Sequence, residues 1–216
     1  MINFIDVTLK HKNSRGIHNI SFDIEKGQFV YLMGPTGAGK STIINSIIKS
    51  ATPDSGQILV NNLDVSKLSD HNLSQYRRDI GMVFQDFKLI DDRTIAENIA
   101  LPLQIIGIQK SIIYNKVQDV LNKVGLKHKV NSKPNELSGG EQQKICVARA
   151  LIKNPKIIIA DEPTGNLDPS SSDDIIDLLE QESNNGTTIV MATHNYPLIE
   201  NRIKHFIELN NGRVVR

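Results

Sequence analysis

Tryptophan is absent from this 216-residue chain, aromatic residues make up 5% of it, and Cys146 is its one cysteine. A single cysteine excludes an internal disulfide framework, and no Cys/His spacing resembles a zinc site, so a reducing compartment is expected. Cys146 itself reads as a small packed side chain. Excess charge is also missing. The 25 Lys and Arg against 24 Asp and Glu leave a net +1, which gives no electrostatic reason to expect direct nucleic-acid binding. Long hydrophobic runs are lacking too: the most apolar stretch, 99–108, contains Pro102, Gln104 and Gly107 and falls well short of the roughly 20 residues of a spanning helix. The opening Met1-Ile2-Asn3-Phe4 has neither the basic nor the apolar segment of a signal peptide, so a cytoplasmic location is expected, with any membrane attachment made through a partner. At 39% hydrophobic and 23% charged residues, the composition is that of an ordinary globular domain, one for this length.

Apolar periodicity divides the chain into thirds. The first third reads as strands at 2–9, 20–24, 29–33 and 57–60, separated by Gly16, Gly27 and the Pro53-Asp54-Ser55-Gly56 turn. Between them Ile43, Ile44, Ile47 and Ile48 recur as on one face of a helix. In the middle third, Thr94-Ile95-Ala96-Glu97 and Ser138-Gly139-Gly140-Glu141 are capping boxes, and Ile113, Val117, Val120, Leu121 and Val124 form a stripe ended by Gly125. The last third carries two β-branched runs, 157–160 and 187–192, suited to buried parallel strands. A helix is expected to start at Asp168-Pro169, and Asn211-Gly212 predicts a hairpin. No internal repeat or linker interrupts this order.

Gly34-Pro35-Thr36-Gly37-Ala38-Gly39-Lys40-Ser41 has the spacing of a phosphate-binding P-loop and lies between a predicted strand and a predicted helix, as that mechanism requires. The plain alternative is a glycine-rich turn with a surface lysine. In the functional reading the backbone from Gly34 to Thr42 wraps a polyphosphate and turns its available N–H groups toward it. Lys40 adds charge at its terminal groups and the Ser41 hydroxyl holds Mg²⁺. Ile157-Ile158-Ile159-Ala160 delivers Asp161 and Glu162 to a strand end, where open α/β sheets keep their ligands. Asp161 would then orient the metal and Glu162 act as general base toward water. Two acids at a strand end are otherwise a common solvated loop start.

Leu137-Ser138-Gly139-Gly140-Glu141-Gln142-Gln143 resembles the signature motif of the ATP-binding cassette (ABC) family. Physically it is a second anion-ready helix N-terminus, with free N–H groups at Gly139 and Gly140 beside the Ser138 hydroxyl. The resemblance extends over essentially the whole chain. It implies an α/β fold of the P-loop NTPase kind, an ABC nucleotide-binding domain. Such a domain has an N-terminal antiparallel β subdomain, a RecA-like parallel-sheet core and an inserted α-helical subdomain at about 86–150. It further implies ATP and Mg²⁺ as cofactors, Gln85 as the Q-loop residue that senses the metal and the attacking water, and His194 as the switch histidine at the γ-phosphate. Asp168 falls in the D-loop, where Asn166 replaces the more usual Ser or Ala. His11 lies near the position of the aromatic that stacks on adenine, a role in which imidazole offers less area than tyrosine. Asn195 stands where an Asp commonly follows the histidine.

The resemblance also implies a homodimer formed head to tail on ATP, with Ser138, Gly139 and Gly140 of one chain closing over the nucleotide on the P-loop of the other. Within the family, 85–103 is most similar to the ATPases of the bacterial cell-division branch, which implies an FtsX-like transmembrane subunit as partner, regulation of cell-wall hydrolysis, and a peripheral place on the cytoplasmic face of the membrane. The lipoprotein-releasing and macrolide-export ATPases share much of the same pattern. A DNA-maintenance ATPase of the same family would separate P-loop and signature by long heptad repeats, which the interval from Lys40 to Ser138 lacks; a nucleotide-gated scaffold is a further alternative. Phe87, Leu89, Ile90 and Ile95 are candidates for the docking patch, and equally for core.

Overall fold

The computed structural model describes residues 1–10, 16–202 and 204–216. Strands β1 (Ile2–Lys10), β2 (Gly16–Ile24) and β3 (Phe29–Met33) lead into helix α1 (Lys40–Ile47), strands β4 (Ser55–Val60) and β5 (Leu63–Asp64), helix α2 (Asp70–Arg78) and strand β6 (Ile80–Phe84). Helices α3 (Ile95–Ile105), α4 (Lys110–Lys123) and α5 (Gly139–Leu151) follow. The chain then runs through β7 (Ile157–Asp161), α6 (Pro169–Asn184), β8 (Thr188–Thr193), β9 (His205–Asn210) and β10 (Arg213–Val214).

Two sheets result, one antiparallel in the order β2-β1-β4-β5 and one of six strands in the order β10-β9-β3-β8-β7-β6. In the larger sheet β9, β3, β8, β7 and β6 run parallel, and every residue of β3 and β8 is buried, as expected for strands covered on both faces. Alternate side chains serve two cores. Val30 and Leu32 face Ile43, Ile44 and Ile47 of α1 and, beyond them, Phe4, Ile20 and Ile58 of the antiparallel sheet. Tyr31 and Met33 face the opposite side, where Ile99, Val117, Ile145 and Ile176 of α3 to α6 pack. The expected antiparallel sheet, parallel core and helical segment are all present.

Register positions the site. Met33 lies opposite Thr193, Asp161 opposite Ala192, and Phe84 opposite Asp161. Four strands therefore end at one edge, and the next residues, Gly34, His194, Glu162 and Gln85, leave it together. Both capping boxes form as read: Thr94 and Ser138 each accept from the N3 amide while Glu97 and Glu141 reach back. Helix α2 was not anticipated. Its Asp70–Arg78 segment has little apolar periodicity, and tertiary contacts hold it: Tyr76 donates its hydroxyl to the Ile47 carbonyl and Arg77 donates to the Ile48 carbonyl at 2.9 Å, capping the C-terminal end of α1 with a cation.

Candidate active site

The loop from Gly34 to Gly39 turns tightly because its glycines accept backbone shapes that other residues resist. Gly34 has φ +145°, and a Cβ there would lie 2.3 Å from the Leu209 carbonyl oxygen; Gly39 has φ +111°, with Ile17 Cγ2 2.9 Å from the place of its Cβ. Gly39 also opens α1 with no side-chain cap hydrogen bond, so the positive end of the helix is turned to the loop, where an anion is favoured. A cavity of about 450 Å³ gathers Thr36, Gly37, Gly39, Lys40, Ser41 and Thr42 with Gln85, Glu162 and His194. Pro35 and Ala38 face an adjoining cavity that shares Gly16, Thr36 and Gly37 with the first. His11 lies outside the described residues.

Lys40 is only 7% exposed, and its Nζ donates to the carbonyls of Gly34 at 2.7 Å and Pro35 at 3.3 Å while standing 3.4 Å from Glu162 Oε1. The same Glu162 oxygen lies 2.9 Å from His194 Nδ1, and the other accepts from the His194 backbone N–H at 3.3 Å. Glu162 itself sits at φ +48°, an uncommon conformation for a residue with a side chain, and its N–H donates to Ala192 O at 3.0 Å. Asp161 is pushed above the ordinary carboxylate range, first by burial and then by the neighbouring charge of Glu162, while Lys40 and the Ser41 hydroxyl act against the rise. Ser41, Gln85 and Asp161 share the lining of one further cavity with Asn166. A desolvated carboxylate, a hydroxyl and an amide oxygen are a hard-oxygen donor set that fits Mg²⁺ bound partly through phosphates. Among the described residues no group of three or more His, Cys, Asp or Glu could hold an ion by itself.

Gln85 is held against the segment after Glu162. Its Nε2 is 3.5 Å from Asn166 Oδ1, and Asn166 Nδ2 donates to the Gln85 carbonyl at 3.3 Å. A Cβ at Gly165 would stand 2.7 Å from Gln85 Nε2, so Gly165→Ala must push the amide aside. Because the atom displaced is a side-chain end, the melting temperature is expected to stay within about 2 °C while ATP turnover falls roughly tenfold or more. Scanning calorimetry and a phosphate-release assay check this; unchanged turnover would mean that the placement of Gln85 has no catalytic weight.

The signature residues are elsewhere. Ser138, Gly139 and Gly140 do not line the P-loop cavity. A Cβ at Gly140 would meet Ser171 Oγ at 2.6 Å, and one at Gly139 would meet Leu167 at 3.6 Å, so this helix start lies beside the start of α6. Asp168 caps α6, accepting from Ser171 N at 2.9 Å and from the Ser170 and Ser171 hydroxyls, bonds that hold its carboxyl far below the usual range. Within one chain, Asp168 and the signature are thus separate from Lys40. Two residues of the site gave no chemical signal in the sequence. Gly16, read only as turn punctuation, lines both cavities. Gln143, quoted in the sequence only as the end of the signature segment, is fully buried, which its polar neighbours Gln142 and Lys144 give no reason to expect.

The family model described as ABC transporter matches residues 17–165. The cell division ATP-binding protein FtsE of Streptococcus pneumoniae is 46% identical over 217 aligned positions, covering 100% of this chain and 94% of that protein. Among solved structures, a dimeric bacterial ABC transporter cassette superposes with a TM-score of 0.88 at 37% identity, covering 100% of this chain and 97% of the other. A dimeric post-hydrolysis state of an ATP-binding cassette bound to ADP and phosphate gives a TM-score of 0.88 at 36% identity, with the same coverage.

Proposed function

This chain belongs to the ABC transporter family, and from that premise we propose that it is the ATP-hydrolysing subunit of a membrane complex of bacterial cell division, working as a nucleotide-closed homodimer beside an FtsX-like transmembrane subunit. Support for the division role comes from full-length similarity to proteins named for it. The observation that carries the dimer is the position of Ser138, outside the cavity that holds Lys40. A second copy can supply the missing face, and two-fold pairing then builds two equal sites from one surface.

In this reading the P-loop amides and Lys40 hold the β- and γ-phosphates, with Ser138, Gly139 and Gly140 of the second chain over the γ-phosphate. Ser41, Asp161 and Gln85 would hold Mg²⁺, which supplies charge neutralisation at the phosphates. Glu162 takes a proton from water as the water oxygen attacks the γ-phosphorus. The bond to the β–γ bridging oxygen breaks, and the electron pair leaves with ADP among the loop amides and Lys40. His194, already in contact with Glu162, fixes the carboxylate and reaches the γ-phosphate.

Arrival of ATP displaces the Lys40–Glu162 contact and frees the carboxylate for water. Hydrolysis removes contacts present only in the closed pair, so the open state regains population. Among the described residues no helix is long and apolar enough to cross a membrane; in this reading the partner provides membrane attachment at the cytoplasmic face.

Three of the four candidates for docking turn inward: Ile95 is fully buried, and Phe87 and Leu89 pack on the core, while Ile90 is half-buried. A groove of about 460 Å³ offers a better surface, floored by Met82, Phe84, Leu101 and Pro102 and rimmed by Arg77, Lys88, Arg149 and Lys153. Its chemistry suits an amphipathic cytoplasmic helix with acidic residues. Affinity purification from membranes in a non-hydrolysable ATP analogue is expected to retain an FtsX-like protein. Retention of a lipoprotein-sorting permease in its place would overturn the division role and leave the ATPase reading intact.

A further inference from the structure

Gln143 is the fully buried polar residue whose position neither the capping of α5 nor the packing of its apolar side explains. It lies five residues beyond Ser138, about 7 Å along the helix axis. Its Nε2 donates to the Phe84 carbonyl at 3.1 Å and to the Pro163 carbonyl at 2.7 Å. Phe84 immediately precedes Gln85, and Pro163 immediately follows Glu162. The orientation of the amide is fixed by this surrounding, since turning it over would set its oxygen against two carbonyls. The oxygen pays for that orientation: Oε1 is buried without a partner. A buried unpaired amide oxygen destabilises a fold, and an aliphatic side chain of the same length would avoid it. What the amide alone provides is the pair of bonds to the two loops that carry the candidate catalytic side chains.

We propose that Gln143 is a positioning residue that couples the signature helix of a chain to that chain's own Gln85 and Glu162, so that nucleotide clasped at one site of the dimer sets the geometry of the other. The inference rests on the two-chain reading above. In that arrangement Ser138 of α5 engages ATP held by the second chain, whereas Gln143 of the same helix serves the ATP held by its own chain. A helix is stiff over five residues, so a shift of its N-terminus toward the neighbour's phosphate moves Gln143 with it. Two backbone carbonyls follow, one adjoining Gln85 and the other adjoining Glu162. The coupling is reciprocal, because loading either site biases the same helix pair.

The test replaces Gln143 by Met, which keeps an unbranched chain of similar volume and removes both donor hydrogens. Binding of a fluorescent ATP analogue is expected to stay within about threefold of wild type, while turnover drops roughly tenfold or more and the Hill coefficient for ATP falls from above 1 to 1. Turnover within twofold of wild type, an unchanged Hill coefficient, or a wild-type Hill coefficient of 1 would overturn the coupling. Loss of ATP affinity in step with turnover would make Gln143 merely structural.

A measurement on the unaltered protein guards against a variant that fails to fold. In ¹⁵N spectra the Gln143 side-chain amide is expected to be protected from exchange and to shift on adding a non-hydrolysable ATP analogue; exchange at the rate of an exposed glutamine contradicts the proposal. Light scattering of the Glu162→Gln variant with ATP separates the two failures. A monomer there sinks the two-chain reading itself, whereas a dimer combined with an unaffected Gln143→Met enzyme removes only the role of Gln143.

Discussion

Glu162→Gln is expected to lower steady-state ATP turnover by about 10²- to 10⁴-fold, the usual weight of a positioned general base, while ATP binding persists. The carboxylate that would accept the proton is 2.9 Å from His194 and 3.4 Å from Lys40, so it is held at the mouth of the phosphate cavity. The substitution keeps the shape and removes the basicity together with the negative charge that faces Lys40. It does not strand Lys40, whose ammonium retains the Gly34 and Pro35 carbonyls, so the fold has no reason to fail. Phosphate release and equilibrium binding, measured on the same preparation, give the result directly. Turnover within a few-fold of wild type would move the base away from Glu162.

Lys40→Ala has the opposite signature, a loss in binding before any loss in chemistry. A charge-assisted hydrogen bond contributes about 1.5–3 kcal/mol, and each 1.4 kcal/mol is about tenfold in affinity. ATP should therefore bind roughly ten- to hundredfold more weakly. Because Lys40 is almost wholly enclosed by the loop that it would serve, the enclosed ammonium is positioned for phosphate before the nucleotide arrives. Glu162 keeps His194 when Lys40 is removed, which limits any structural cost. Isothermal calorimetry with ATP decides the matter. An unchanged dissociation constant would leave Lys40 with no part in phosphate binding.

Much of this site could be read locally because its chemistry is contiguous in the chain. The strand 29–33, the loop to Ser41 and the helix after it form one sentence of sequence, and so do the apolar run 157–160 and its two acids. Both capping boxes were legible for the same reason, since each is closed within four residues. Properties that depend on distant residues were not. Nothing local to Gln85, Glu162 or His194 fixes the pairing that brings Phe84 beside Asp161 and Asp161 beside Ala192; the resemblance to a known family supplied that grouping. Helix α2 is held by Tyr76 and Arg77 against the end of α1 rather than by an apolar stripe of its own. The direction in which Phe87, Leu89 and Ile95 face was open because the same period serves a core or an exposed patch, and the packing of α3 to α6 settles it inward. Gln143 is a sharper case. A single amide on a helix has no periodicity, and its meaning emerges only with the two carbonyls that it meets.

The proposed pairing makes nucleotide the joint between two chains, a reading supported by fold similarity to dimeric cassettes and by the place of Ser138 outside the cavity of Lys40. The most direct check is the mass of the Glu162→Gln variant in solution, determined by multi-angle light scattering with and without ATP, alone and with its membrane subunit. For the chain alone the account predicts twice the monomer mass of 24.1 kDa when ATP is present and the monomer when it is washed away; with the membrane subunit it predicts two copies of the chain per complex when ATP is present. A strictly monomeric, ATP-loaded protein under every one of those conditions would contradict it.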